Sequence, residues 1–110
     1  MSERTELGQI GRCEFGLGGY QEAMIGISFT LSGKGWGVGD FWGEWAIDRS
    51  EHAKWTEQSR IEALGNTVMR INKLLTDAKA QNVAQLVGKP IEATFDGQIL
   101  KSWRILTEVL

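Results

Sequence analysis

Two periodicities divide this chain, and together they permit few folds. From Glu22 to Leu31, the residues Ala23, Ile25, Ile27, Phe29 and Leu31 fall on one face of an extended strand, and Glu22, Met24, Gly26, Ser28 and Thr30 fall on the other. A repeat of two is what a half-buried antiparallel strand requires. Further along, Ile61, Leu64, Val68, Ile71, Leu75 and Ala78 recur at spacings of three and four. That is the stripe of an amphipathic helix about five turns long. Asp48 with Glu51, or Thr56 alone, offers a cap for its start. Gly65 sits beside the stripe and reads as a point of close packing on a sheet.

The remaining strands follow from turn chemistry. Gln9 to Gly16 reads as a first strand, with Cys13 and Phe15 on one face and Arg12 and Glu14 on the other. Leu17-Gly18-Gly19-Tyr20 is the hairpin loop after it, because glycine reaches positive φ without strain. Ser32-Gly33-Lys34-Gly35 is the next turn, and Trp36 to Ile47 a third strand. After a short turn at Val83 to Leu86, Pro90 opens an extended run from Ile91 to Phe95. Asp96-Gly97 is a two-residue hairpin signal, which sets Glu92 opposite Lys101. The expected order is βββαββ: a three-stranded meander, one long helix on one face of an antiparallel sheet, and a C-terminal hairpin. A chain of 110 residues carries this as one α+β domain, residues 1–110.

Charge and cysteine usage narrow the function classes. The net charge is -2, with 12 basic and 14 acidic residues and no basic run, which argues against a duplex nucleic-acid binder. One cysteine and one histidine exclude an intramolecular disulfide and a Cys/His zinc site, and point to a cytosolic chain. The polar segment from Met1 to Leu7 has no signal-peptide core, and no stretch approaches a membrane span. No cofactor motif is present. Lys34 is not a Walker lysine, since Trp36 and Val38 occupy the places that motif needs for other residues.

The segment from Lys34 to Trp45 is the most unusual. Gly33, Gly35, Gly37 and Gly39 alternate with Lys34, Trp36, Val38 and Asp40, and Trp42 and Trp45 follow with opposite parity. One strand face cannot hide all these indoles, so Lys34, Trp36, Asp40, Trp42 and Trp45 are the expected partner-binding residues. A second reading takes Arg12, Tyr20, Lys34 and Trp36 as charge and stacking groups for a nucleotide or single-stranded nucleic acid. A third is a small enzyme. Cys13, His52 and Asp40 or Asp48 form a conceivable nucleophile set that no spacing supports, and Glu14, Glu22, Glu44 and Asp40 could serve acid–base chemistry or hold a hard metal ion, although strand carboxylates are far more often solvated.

At Phe15-Gly16-Leu17-Gly18-Gly19-Tyr20-Gln21-Glu22-Ala23, Gly33-Lys34-Gly35-Trp36-Gly37 and Leu100-Lys101-Ser102-Trp103-Arg104-Ile105-Leu106, the chain resembles small proteins encoded in bacteriophage and prophage genomes. The resemblance implies an accessory role in replication or recombination, or against host defence by occupying a protein or a nucleotide signal. The expectation is therefore a non-catalytic binding protein of the cytoplasm, with a host or phage protein as partner. A nucleotide or single strand is the alternative. The coiled-coil-like spacing of the helical stripe leaves self-association open.

Overall fold

The computed structural model describes residues 3–46 and 55–110. Five antiparallel strands form one sheet: β1 (Glu3–Gly18), β2 (Met24–Gly33), β3 (Trp36–Trp45), β4 (Pro90–Asp96) and β5 (Ile99–Ile105). The helix α1 (Glu57–Ala78) lies between β3 and β4 in sequence, so the order is βββαββ. Across the sheet the order is β3-β2-β1-β4-β5.

β1 is twice as useful as its local pattern suggests. Its first half, Glu3 to Gln9, pairs with β4, and its second half, up to Gly18, pairs with β2. Gly8 and Gln9 pair on both sides, and a bulge at Gly11 shifts the register with β2; a bulge bends a strand and increases its twist. The first half presents Arg4, Glu6 and Gly8 opposite Phe95, Ala93 and Ile91. No apolar alternation marks it, so it escaped a reading based on period.

The sheet curls until its two edge strands approach each other. Trp42 of β3 and Trp103 of β5 stack with ring centroids 5.2 Å apart and planes 24° from parallel. Phe29 of β2 meets both rings edge-on, at 4.8 Å and 4.9 Å. α1 packs against both edges, β3 and β5. The core runs through Ile10, Ile27, Phe29, Leu31, Ile91, Phe95 and Ile105, with Leu74 and Ala78 from the helix. The expected α+β arrangement, an antiparallel sheet packed on one long helix, therefore holds, with the sheet curled so that the helix lies across its two edge strands.

Thr56 caps α1. Its hydroxyl accepts from the Ser59 backbone N–H at 3.0 Å, and the Ser59 hydroxyl accepts from the Thr56 backbone N–H at 2.9 Å. The Asp48–Glu51 alternative lies outside the described residues. The stripe holds only toward the C-terminal end. Ile71 and Leu75 pack on the core, whereas Ile61 and Val68 remain 63% and 60% exposed. No described helix is long and apolar enough to cross a membrane.

The C-terminal hairpin turns one residue later than its sequence signal. Asp96 pairs with Ile99, so Gly97 and Gln98 form the loop, with Gly97 at φ 64°. A bulge then leaves Lys101 unpaired between Leu100 and Ser102. Glu92 therefore faces Arg104, which it binds at 3.2 Å, and Lys101 instead reaches Glu3.

Two glycines differ in what they demand. A Cβ at Gly8 would lie 2.7 Å from the Trp36 ring and closer still to the Ser32 carbonyl oxygen. Nothing lies within 4 Å of a Cβ at Gly65, so close packing does not explain it. Gly65→Ala should therefore raise stability by about 0.5–1 kcal/mol through backbone entropy and propensity. Gly8→Ala should lower it by about 1–3 kcal/mol. Denaturant midpoints measure both, and a destabilised Gly65→Ala would contradict the open space seen beside it.

Candidate ligand groove

The structure divides the residues expected to bind. Asp40 and Trp42 turn into the domain. Trp42 is only 8% exposed. One Asp40 carboxylate oxygen accepts from the Trp42 indole N–H at 3.0 Å and from the Trp103 indole N–H at 2.8 Å. The other accepts from the Phe41 backbone N–H at 2.9 Å. A carboxylate so engaged positions the interior; it is not offered to a partner. The opposite parity of Trp42 and Trp45 has the expected result: Trp45 lies on the outer face, opposite Met24, edge-on to Tyr20 at 6.3 Å.

The alternative set is also split. Arg12 is exposed on the outer face of β1 beside Glu14, with which it pairs. Tyr20 precedes β2 and Lys34 follows it, so the two sit at opposite ends of that strand. Only Lys34 and Trp36 remain together, at the β2–β3 turn.

That turn forms one wall of a groove of about 330 Å³, lined by Arg4, Trp36, Val38, Phe95 and Gln98 with the bare backbone of Gly35 and Gly37. The volume falls within the usual range of ligand sites. The opposite wall is the β4–β5 turn. Phe95 is its buried floor, with the Arg4 guanidinium 4.7 Å above the ring and Trp36 edge-on at 5.3 Å. Arg4 also donates to the Gly97 carbonyl oxygen and lies 3.4 Å from Glu6. Lys34, exposed in the turn, adds a second cation beside Gly35.

Trp36 is held differently from the other inward indoles. Its ring lies against Gly8 and Gly33, where no side chain stands it off. Its Nε1–H is buried without an acceptor, a condition that costs about 1–3 kcal/mol. Packing alone keeps it in place, so it can move at less cost than the pair tied to Asp40.

A second cleft, about 150 Å³, lies between α1 and β5 against Trp42 and Trp103. Arg70 stands 3.8 Å over the Trp42 ring there. Its other cations are already engaged, Lys73 by Asp77 and Arg104 by Glu92 and Glu108. The cleft is half the size of the groove and its indoles are mostly covered.

Nucleophilic chemistry finds little support. Burial, reinforced by the Glu14 charge, pushes the Cys13 thiol up to about 11, so it stays protonated near neutral pH, and the thiolate is the reactive form. His52 and Asp48 lie outside the described residues. Among the described residues, no cluster of His, Cys, Asp and Glu is placed to hold a metal ion.

Sequence reasoning missed Arg4, Phe95 and Gln98; the hairpin placed Trp103 in the core, where it packs, but not its bond to Asp40. The turn signal at Asp96-Gly97 did bring Phe95 and Gln98 near one another, but nothing local reveals that β1 carries Arg4 to them. The Asp40 linkage yields a direct test. Asp40→Ala leaves two indole donors without an acceptor and should cost about 2–4 kcal/mol. Asp40→Asn, which keeps one carbonyl oxygen, should cost clearly less. Equilibrium unfolding measures both, and an Asp40→Ala loss under about 1 kcal/mol would show that the indole bonds contribute little.

Compared with known proteins, the chain matches no family model, no curated protein and no solved structure.

Proposed function

We propose that the domain binds, without catalysis, a phosphorylated ligand that carries a nucleobase, as a free nucleotide or as an end of single-stranded nucleic acid, in the groove between the β2–β3 and β4–β5 turns. The observation that carries this reading is the meeting of Trp36 and Arg4 around a cavity of about 330 Å³ whose rim at Gly35 and Gly37 has no side chains, with the exposed Lys34 next to Gly35 in the turn. An indole face stacks on any base, and such stacking is worth about 1–3 kcal/mol per base. The Lys34 ammonium meets the phosphate, and Arg4, which also holds Gly97 and Glu6, turns part of its planar fork to it. The Gln98 amide can both donate to and accept from a base edge.

The mild negative charge of the chain suits a short contact. Two cations neutralise one or two phosphates, so binding should weaken only modestly with salt, with a logarithmic slope of about -1 to -2. Long duplexes need many more such contacts.

The layout adds support by fold analogy. A partly open five-stranded antiparallel barrel with a helix between the third and fourth strands is the arrangement of OB-type barrels, which bind oligonucleotides and oligosaccharides on strands and loops. A protein partner seated on Lys34 to Trp45 has less support, because Asp40 and Trp42 are engaged inside the domain.

Titration of the protein with nucleoside monophosphates and with a short oligothymidylate, followed by tryptophan quenching and melting shifts, tests the reading. Saturable quenching is expected. Trp36→Phe, which preserves most packing, should weaken binding at least several-fold, and Lys34→Ala should flatten the salt dependence. A stronger response to the oligomer identifies the strand as ligand; a stronger response to the monomer identifies the nucleotide. No response to either at millimolar ligand, or binding indifferent to Trp36, would defeat the proposal.

A further inference from the structure

We infer that two copies of this chain join edge to edge through the second half of β1, as an antiparallel pair of strands centred on Phe15. This surface is separate from the ligand groove and does not depend on it.

The inference starts from a strand with one neighbour too few. β4 pairs with Glu3 to Gln9 only. Ile10 next exchanges hydrogen bonds with the following segment, accepting from the Gly88 N–H at 2.7 Å and donating to the Lys89 carbonyl at 3.1 Å. From Arg12 to Gly18, β1 pairs with β2 on one side, and no described strand pairs with it on the other. Open strand edges invite addition of another strand unless proline, bulges or inward charges guard them. This one carries no proline, and its core-side face bears Cys13, Phe15 and Leu17. Phe15 is 57% exposed and Leu17 69%. The Cα radius of gyration, 15.2 Å, exceeds the ~13 Å of a compact chain of this length, as an arm standing clear of the core would make it.

A second copy suits this edge because the edge matches itself. Two-fold pairing places residues of the same face opposite each other, so only registers centred on a residue need weighing. Centred on Cys13, the partner's Gly16 to Gly18 would lie along Gly8 to Ile10, a place β4 and the Gly88–Lys89 segment already occupy. Centred on Glu14, the register sets two carboxylates face to face, and the partner's Gly18 still meets Ile10. Centred on Phe15, residues 12–18 use the whole free edge without touching the occupied part. Phe15 then faces the partner's Phe15, and Cys13 faces the partner's Leu17. Arg12 and Glu14 face the partner's Gly18 and Gly16, so like charges are never directly opposed and no side chain crowds them. The two sheets become one continuous ten-stranded sheet, and the exposed apolar residues of both arms cover each other.

Sedimentation equilibrium on the intact chain tests the association. Wild type should have twice the monomer mass and a melting temperature that rises with concentration, and Phe15→Glu, at an exposed position, should be a folded monomer whose melting temperature does not depend on concentration. The register has its own test, which also stands if Phe15→Glu folds poorly. Opposed residues lie ~4.5–5.5 Å apart at Cβ, and modest adjustment brings two cysteines into bonding range. Leu17→Cys should therefore cross-link to the partner's Cys13 on mild oxidation and give a covalent dimer, while wild type with Cys13 alone should not. A monomeric wild type at its highest soluble concentration, or a dimer indifferent to Phe15→Glu, would overturn the interface. A disulfide between two wild-type Cys13 residues would overturn the register.

Discussion

The carboxylate of Asp40 is the tie on which the shape of this domain depends. β3 and β5 are the outermost strands of the sheet, and no backbone hydrogen bond joins them. The carboxylate oxygen that accepts from Trp42 on its own strand also accepts from Trp103 of β5, and that one bond, with the Trp42–Trp103 stack, joins the two strands at that level. Hydrogen bonds to a charged acceptor contribute about 1.5–3 kcal/mol each, more than neutral ones. The indoles then stack, and Arg70 covers the outer face of Trp42 at 3.8 Å. With the seam closed, α1 has a surface on which to lay Leu74 and Ala78. Closing it also brings the β2–β3 turn toward the β4–β5 turn, and so sets the width of the groove between them.

Much of the architecture could be read from local pattern. The alternation from Ala23 to Leu31 gave β2, the three-four spacing gave α1, and Thr56 supplied its cap. What failed was whatever depends on distant partners. Asp40 and Trp42 share a strand face, so their contact was within reach of a parity argument. Trp103, which completes the triad, is 63 residues from Asp40. Without it, Asp40 reads as a free surface acid. The first half of β1 failed for a related reason: its inward residues are Arg4, Glu6 and Gly8, and only Phe95, Ala93 and Ile91 across the sheet make that face apolar.

The glycine alternation around Trp36 turned out to have mixed causes. Gly33 makes room for the Trp36 ring, as Gly8 does from the neighbouring strand. A Cβ at Gly37 or Gly39 would make only ordinary contact, with nearest atoms at 3.8 Å and 3.6 Å. Sequence alone could not separate those two kinds of position, because both look like a bare strand face. Of the expected ligand residues, Lys34 and Trp36 stayed together because a turn joins them; Arg12 and Tyr20 were lost because the pleat and the length of β2 carry them elsewhere.

The double duty of β1 ties the first residues of the chain to nearly the last. Arg4 donates to Gly97 and Glu3 meets Lys101, contacts spanning 93 and 98 positions. Contacts so remote in sequence are slow to form, since a long loop must close before they contribute. During synthesis the meander and helix can therefore emerge and organise locally, yet the first half of β1 waits unpaired until the β4–β5 hairpin leaves the ribosome. The sheet is finished only when residues 90–105 have been added.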